Sequence, residues 1–295
     1  MRTVYLGTSE FAAAVLRRLA DSPHRPALVV TRPDRPRGRG RKLASPPVAE
    51  AARELGIDLE QPETVNNEAA LATIAAARPE AVCVCAFGAL IKEPLLSAYP
   101  MLNVHPSLLP RWRGAAPIER AIMAGDERTG VSIMQLTEGL DSGPVCAQTS
   151  EPIAAEDTYG SLAARLEALG AALLVRALDE SPPCGAQDEA LATYAAKIAP
   201  EDRLLDPGRR AVELERTVRA LTPHIGAHVA LEDGERLGVR QARVLGDGGL
   251  PPGELSLDGP CPVLGCAEGA LELLVVQPPG RRAMNGEDYL RGRRT

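Results

Sequence analysis

Ala81-Val82-Cys83-Val84-Cys85-Ala86 is a continuous apolar run. A strand with one wet face alternates apolar and polar residues, whereas a strand covered on both faces does not. The run therefore predicts a central strand of a parallel sheet. Working outward, Thr3–Leu6, Ala27–Thr31 and Met101–Val104 read as further buried strands. Between them Glu10–Leu19, Pro47–Leu55 and Glu68–Ala77 carry apolar residues at helical spacing. Ser9 suits the N-cap of the first helix, and Gly56 stops the second. Pro117–Ala124 reads as a short helix with proline in its first turn. Strands and helices that alternate over roughly 120 residues predict a doubly wound, Rossmann-like parallel α/β sheet.

Beyond this sheet, Val131–Leu136 and Val145–Thr149 predict an antiparallel pair, and Asp157–Leu178 a long amphipathic helix. Glu180-Ser181-Pro182-Pro183-Cys184-Gly185 is turn-rich and opens a stretch poor in hydrophobic residues. A helix over Ala211–Ala220 then precedes four short strand candidates, Ala227–Leu231, Leu237–Val244, Gly253–Leu257 and Leu271–Val276. The expected organisation is an α/β domain over residues 1–180, a linker over 181–203 and a small β-rich domain over 204–295. A length of 295 residues agrees with two domains at roughly 100–200 residues each.

Composition narrows the function. Hydrophobic residues make up 45% of the chain, enough for a substantial core, yet no uncharged apolar run reaches the ~18 residues of a membrane span. The N-terminus enters a strand directly, without the apolar segment and cleavage site of a signal peptide. Six cysteines, Cys83, Cys85, Cys146, Cys184, Cys261 and Cys266, fit no usual zinc spacing. They read as reduced thiols of a cytoplasmic protein. The four histidines form no ligand cluster by spacing, so no metal is expected.

The net charge of −6 is unevenly spread. Arg32 to Lys42 holds six basic residues and one acid, a net of +5, which leaves −11 on the rest of the chain. A cationic loop on an acidic body marks a site rather than a general surface property. Arginine presents a planar fork to phosphate oxygens. With 3% aromatic residues, stacking on splayed bases cannot be the main contact to RNA, so backbone charge and shape remain. A solvated surface loop is the competing reading of the same composition.

The chemistry concentrates in Asn103-Val104-His105-Pro106-Ser107-Leu108-Leu109-Pro110-Arg111-Trp112-Arg113-Gly114. Side chains two apart on a strand project from the same face, so Asn103 and His105 are neighbours. Pro106 ends regular pairing, and in an open α/β sheet ligands bind beyond the carboxyl ends of the strands. A lone Asn or His there is commonly structural; the pair beside a proline-bounded loop points to a site. Asp141, in Gly139-Leu140-Asp141-Ser142-Gly143, is by itself a turn residue. With a histidine as partner its carboxylate would orient the ring and stabilise its cationic form, while an Asn amide donates to an oxyanion. Asn, His and Asp without a Ser or Cys nucleophile suggest acyl transfer to an external nucleophile. Gly7-Thr8-Ser9 lacks the three-glycine dinucleotide spacing, and no P-loop is present, which argues against nicotinamide and nucleotide-hydrolysing enzymes.

Asn103–Ile118 together with Gly139–Gly143 resembles the folate-dependent formyltransferases, and within them those acting on methionyl-tRNA. Arg32–Leu43 is similar to the tRNA-contacting insertion of that family, Thr193–Ile198 to the start of its linker and Gln277–Met284 to its C-terminal motif. The resemblance implies formyl transfer from 10-formyltetrahydrofolate to the α-amino group of methionyl initiator tRNA, giving N-formylmethionyl-tRNA. It implies Asn103, His105 and Asp141 as catalytic residues, Ser107, Leu108, Leu109 and Pro110 as the folate loop, and Phe87 and Gly88 beside the pterin. It implies that Arg35, Arg37, Arg39, Arg41 and Lys42 contact tRNA, with Arg39 aligned to the arginine that probes the weakly paired end of the acceptor stem. The β-rich domain would be an oligonucleotide-binding-type barrel, and the enzyme a cytoplasmic monomer. One departure is Thr222–His228, which lacks the aromatic residue usual after the helix that precedes it. Formyl transfer to a small amine, such as a nucleotide-linked amino sugar or glycinamide ribonucleotide, is the alternative within enzymes. A non-catalytic tRNA-binding protein is the alternative outside them.

Overall fold

The computed structural model describes residues 1–37, 42–231, 234–246 and 249–293, and of Arg37 and Lys42 the backbone alone. In chain order the elements are β1 (Thr3–Gly7), α1 (Glu10–Ala20), β2 (Pro26–Val30), β3 (Arg35–Arg37), β4 (Lys42–Ala44), α2 (Pro47–Leu55), β5 (Leu59–Glu60) and α3 (Glu68–Ala76). There follow β6 (Ala81–Cys85), α4 (Leu95–Ala98), β7 (Met101–His105), β8 (Arg113–Gly114), α5 (Pro117–Ala124), β9 (Arg128–Gln135), β10 (Val145–Pro152) and α6 (Tyr159–Glu180). The chain continues with β11 (Tyr194–Ala195), α7 (Ala211–Leu221), β12 (Ala227–Ala230), β13 (Arg236–Leu245), β14 (Leu255–Ser256), β15 (Val263–Gly265), β16 (Ala270–Gln277), β17 (Met284–Asn285) and α8 (Gly286–Arg291).

These elements form two compact units, neither of them one continuous stretch: residues 1–114, 128–152 and 163–194, and residues 115–127, 153–162 and 195–295. The first holds a seven-stranded sheet in the order β10-β9-β7-β6-β1-β2-β5. β7, β6, β1, β2 and β5 are parallel, and β9 runs antiparallel to both β7 and β10. The expected central strand is β6, every residue of which is buried. Val82 and Val84 pack with Val4, Leu6, Leu28 and Val30 in one core cluster. Burying such a side chain contributes about 1.5–3 kcal/mol, so this stripe is what sets the register of the parallel strands.

The helices form where their signals lie. Ser9 Oγ accepts the Ala12 N–H at 3.2 Å and caps α1, whose Phe11, Val15, Leu16 and Leu19 are buried. α2 ends at Gly56 in the left-handed conformation, φ 64°, which glycine adopts without a Cβ clash.

In the second unit an antiparallel sheet runs β12-β13-β16-β15-β14, with β17 added on β16. α7 lays Leu214, Val218 and Leu221 on Val229, Leu237, Val239, Leu271 and Leu273 of that sheet. Its neighbour α5 contributes Met123 to the same core. Arg120 on α5 holds Asp202 at 2.7 Å, and this guanidinium keeps the Asp202 carboxyl below its ordinary range.

Three sequence expectations are corrected. The basic loop, expected to be irregular, begins and ends in paired strands, with Arg35 opposite Ala44 and Arg37 opposite Lys42. Its base is fastened by Asp34, which accepts from Ser45 Oγ at 3.0 Å and Gln61 Nε2 at 2.8 Å. β15 escaped detection because three residues are too few to show alternation. Finally, the cysteines are not all reduced: Cys146 and Cys184 are disulfide-bonded. Val145 and Gly185 exchange backbone hydrogen bonds of 2.8 and 2.9 Å, which lays the two sulfur-bearing residues side by side. Among the described residues no helix is long and apolar enough to cross a membrane.

Candidate active site

The site gathers where the parallel strands end. Asn103 on β7 pairs in register with Val84 on β6 and with Met134 on β9. β6 continues into Phe87 and Gly88, and β7 ends at His105 and leads into the 107–110 loop, so both segments emerge at the carboxyl edge of the sheet. This is where open α/β sheets receive ligands. β2 leads into the basic hairpin at the same edge, and Arg32 Nη1 donates to the Gly88 carbonyl at 2.9 Å.

Asn103 and His105 are buried, at 7% and 4% exposure. The His105 ring is oriented by the main chain: Nε2 lies 2.9 Å from the carbonyl oxygen of Trp112. A carbonyl can only accept, so Nε2 carries a proton and Nδ1 is the nitrogen left to exchange one. Trp112 presents that carbonyl from a left-handed backbone, φ 63°, unusual for a bulky residue and held by its N–H donating to Thr193 Oγ1 at 2.9 Å. Asp141 Oδ2 stands 3.6 Å from His105 Nδ1, an electrostatic neighbour rather than a hydrogen-bond partner. The same oxygen accepts the Gly114 N–H at 2.8 Å. Asp141 too is left-handed, φ 47°, a conformation Asp tolerates better than most residues. A Cβ at Gly143 would collide with the Gln135 carbonyl, so only glycine lets this turn close on β9. Of the residues singled out in the sequence, Asn103 and His105 share β7, and Asp141 stands beside the His105 ring.

The 107–110 loop is built rather than loose. Ser107 and Leu109 are buried, Leu108 and Pro110 half-buried. Ser107 Oγ donates to Arg111 O at 2.6 Å, so its proton is directed to the main chain and not to a side-chain base. Ser132 Oγ donates to Ser107 O at 2.6 Å and accepts the Leu109 N–H at 3.1 Å. Gln148 Nε2 reaches Leu109 O at 2.7 Å and Ser132 Oγ at 2.9 Å. On the neighbouring strand end, Thr8 Oγ1 donates to Phe87 O at 2.7 Å, while Gly88 takes φ 70°. Ser132 and Gln148 were missed in the sequence because they lie on β9 and β10, far from the loop in the chain. Among the described residues no group of His, Cys, Asp and Glu could hold a metal. Of the basic residues, Arg35 pairs with Glu63 at 2.7 Å on the surface, and Arg39 and Arg41 lie outside the described residues.

Two family models match this chain: formyl transferase over residues 1–178 and the formyl transferase C-terminal domain over residues 197–294. The chain belongs to the formyl transferase family. A methionyl-tRNA formyltransferase of Pseudomonas fluorescens is 44% identical over 304 aligned positions, covering 100% of this chain and 94% of the relative. One of Acidithiobacillus ferrooxidans is 46% identical, covering 99% and 96%. Among solved structures, the N-formyltransferase of Helicobacter canadensis with folinic acid and dTDP-3-aminofucose superposes with a TM-score of 0.67 at 12% identity, over 92% of this chain and 99% of that one. HypX of Aquifex aeolicus with tetrahydrofolic acid gives 0.65 at 18% identity, over 98% of this chain and 47% of that longer one. At these identities the superpositions speak for the fold alone. They show that proteins of widely different sequence share this fold.

Proposed function

We propose that this chain formylates methionyl initiator tRNA, with 10-formyltetrahydrofolate as donor, to give the N-formylmethionyl-tRNA that starts translation. The observation that carries the reading is the full-length likeness, at 44–46% identity, to methionyl-tRNA formyltransferases, in a chain whose Asn103, His105 and Asp141 share one site. When bound, the folate supplies an electrophilic formyl carbon. Phe87, Gly88, Ser107, Leu108, Leu109 and Pro110 would hold it, and the braced 107–110 loop suits a flat ligand lying against main chain.

The remaining chemistry falls to side chains. Among the described residues nothing hydrogen-bonds the Asn103 amide, which leaves its N–H free to donate to an oxyanion. Such a donor contributes about 10²–10³ in rate. His105, locked by Trp112, takes the proton released by the attacking amine on Nδ1. The cation so formed faces Asp141, whose negative charge stabilises it and whose carboxylate is fixed by the Gly114 N–H. The proton then passes to the leaving nitrogen. No covalent enzyme intermediate is needed.

The basic hairpin, through Arg35, Arg37, Arg39, Arg41 and Lys42, would bring the acceptor stem to the site, since it stands at the same sheet edge. We assign residues 1–180 to catalysis, 181–203 to a linker and 204–295 to a second tRNA-binding domain. We take the enzyme to act as a monomer, and a charged initiator tRNA is a cytoplasmic substrate. The test is donor consumption with methionyl initiator tRNA, methionyl elongator tRNA and no tRNA. Turnover with the first alone is expected; equal consumption in all three arms would contradict the reading.

A further inference from the structure

The turn that carries Asp141 is held from outside by one side chain. Gln187 Nε2 donates to the carbonyl oxygen of Asp141 at 2.8 Å and to that of Gly143 at 2.7 Å. The amide cannot be reversed. Its Oε1 accepts from Arg113 Nε at 3.0 Å and Nη2 at 2.9 Å, and arginine has only donors. Arg113 is 2% exposed and locked in turn by a bidentate pair with Glu189, at 2.9 and 2.8 Å.

The stretch holding Gln187 is itself anchored. Cys184 is bonded to Cys146, and Gly185 pairs with Val145 at the start of β10. Arg113 and Gly114 thus grip Asp141 twice. The Gly114 N–H reaches its carboxylate directly, and the Arg113 side chain reaches its backbone through Gln187. A left-handed non-glycine residue costs roughly 1–3 kcal/mol and persists only where its surroundings over-determine it. At Asp141 the two amide hydrogen bonds of Gln187 are such a determinant.

We propose that Gln187 is a positioning residue for formyl transfer: it sets where the Asp141 carboxylate stands relative to His105. This rests on the reading of Asp141 as a member of the catalytic trio. Misplacing a reacting group by about 1 Å can cost on the order of 10²-fold in rate, and the gap to be kept is 3.6 Å.

The test compares Gln187→Ala, Gln187→Glu, Asp141→Asn and the Asp141→Asn/Gln187→Ala double variant, in the full-length protein. Measured quantities are kcat, the KM values for both substrates, the unfolding midpoint, and amide hydrogen exchange of residues 137–144. Gln187→Ala should lower kcat about ten- to hundredfold with both KM values unchanged, and should speed exchange in the turn. Gln187→Glu keeps an acceptor for Arg113 but cannot donate to the two carbonyls, so it should not rescue kcat. Removing Gln187 should cost nothing further once Asp141→Asn is present. The proposal is overturned if Asp141→Asn loses activity while Gln187→Ala keeps wild-type kcat. It is equally overturned if Gln187→Glu restores kcat, since the contact to Arg113 alone would then suffice. Wild-type turnover in Asp141→Asn would instead remove the trio reading beneath it.

Discussion

Ser132 Oγ donates to the carbonyl oxygen of Ser107 at 2.6 Å, and so ties β9 to a loop 25 residues earlier in the chain. The same oxygen accepts from Leu109 and Gln148, so one fully buried hydroxyl serves three partners. Ser132→Ala leaves those partners without it, a cost of about 1–3 kcal/mol. The unfolding midpoint should fall, and KM for 10-formyltetrahydrofolate should rise several-fold while KM for tRNA stays put. An unchanged folate KM would show that the loop's shape does not govern donor binding.

Arg39 lies in a segment whose net charge is +5. Each phosphate neutralised by such a segment releases counterions, so tRNA affinity should fall steeply with salt. Arg39→Ala is expected to lower kcat/KM on methionyl initiator tRNA and to make the salt dependence shallower. Activity indifferent to both the substitution and the salt concentration would count against this hairpin as the tRNA reader.

Glu189 hydrogen-bonds the Arg113 guanidinium, which holds its carboxyl below the ordinary carboxylate range. A carboxyl whose folded value is depressed contributes stability above its unfolded value, and that contribution is lost as pH falls through the folded value. Stability should therefore decline below about pH 4. In Glu189→Gln this part of the acid dependence should flatten, as read from unfolding midpoints between pH 3 and pH 7. Superimposable acid limbs would mean that the pair contributes nothing. Because Glu189 is largely exposed, the effect will be modest.

Burial pushes the thiols of Cys83 and Cys85 up to about 12, and Cys261 and Cys266 are buried as well. The native protein at pH 8 should therefore resist alkylation. Mass spectrometry should find four labelled cysteines after unfolding without reductant and six with it. Six labels without reductant would rule out the link between Cys146 and Cys184.

What the sequence disclosed followed from locality. The all-apolar Ala81–Ala86 run, the cap at Ser9 and the stop at Gly56 act within a few residues of themselves, so strands and helices could be read directly. Asn103 and His105 were legible because a strand's two-residue period puts them on one face. Asp141 needed a family likeness, since nothing local joins a turn at 141 to a strand at 105. Gln187, Arg113, Ser132 and the Trp112 carbonyl were out of reach for the same reason. Each works through a partner distant in the chain, or through main-chain atoms that every residue possesses. The Cys146–Cys184 bond belongs here too, because it depends on Gly185 pairing with Val145 across the intervening long helix.

The most direct test of the central claim is transfer of labelled formyl from 10-formyltetrahydrofolate to methionyl initiator tRNA by the wild-type protein and by His105→Ala. The wild-type protein should yield N-formylmethionyl-tRNA. The variant should bind tRNA and folate normally yet run about 10²–10⁴-fold slower. Wild-type turnover in His105→Ala, or no transfer by the wild-type protein, would contradict the account.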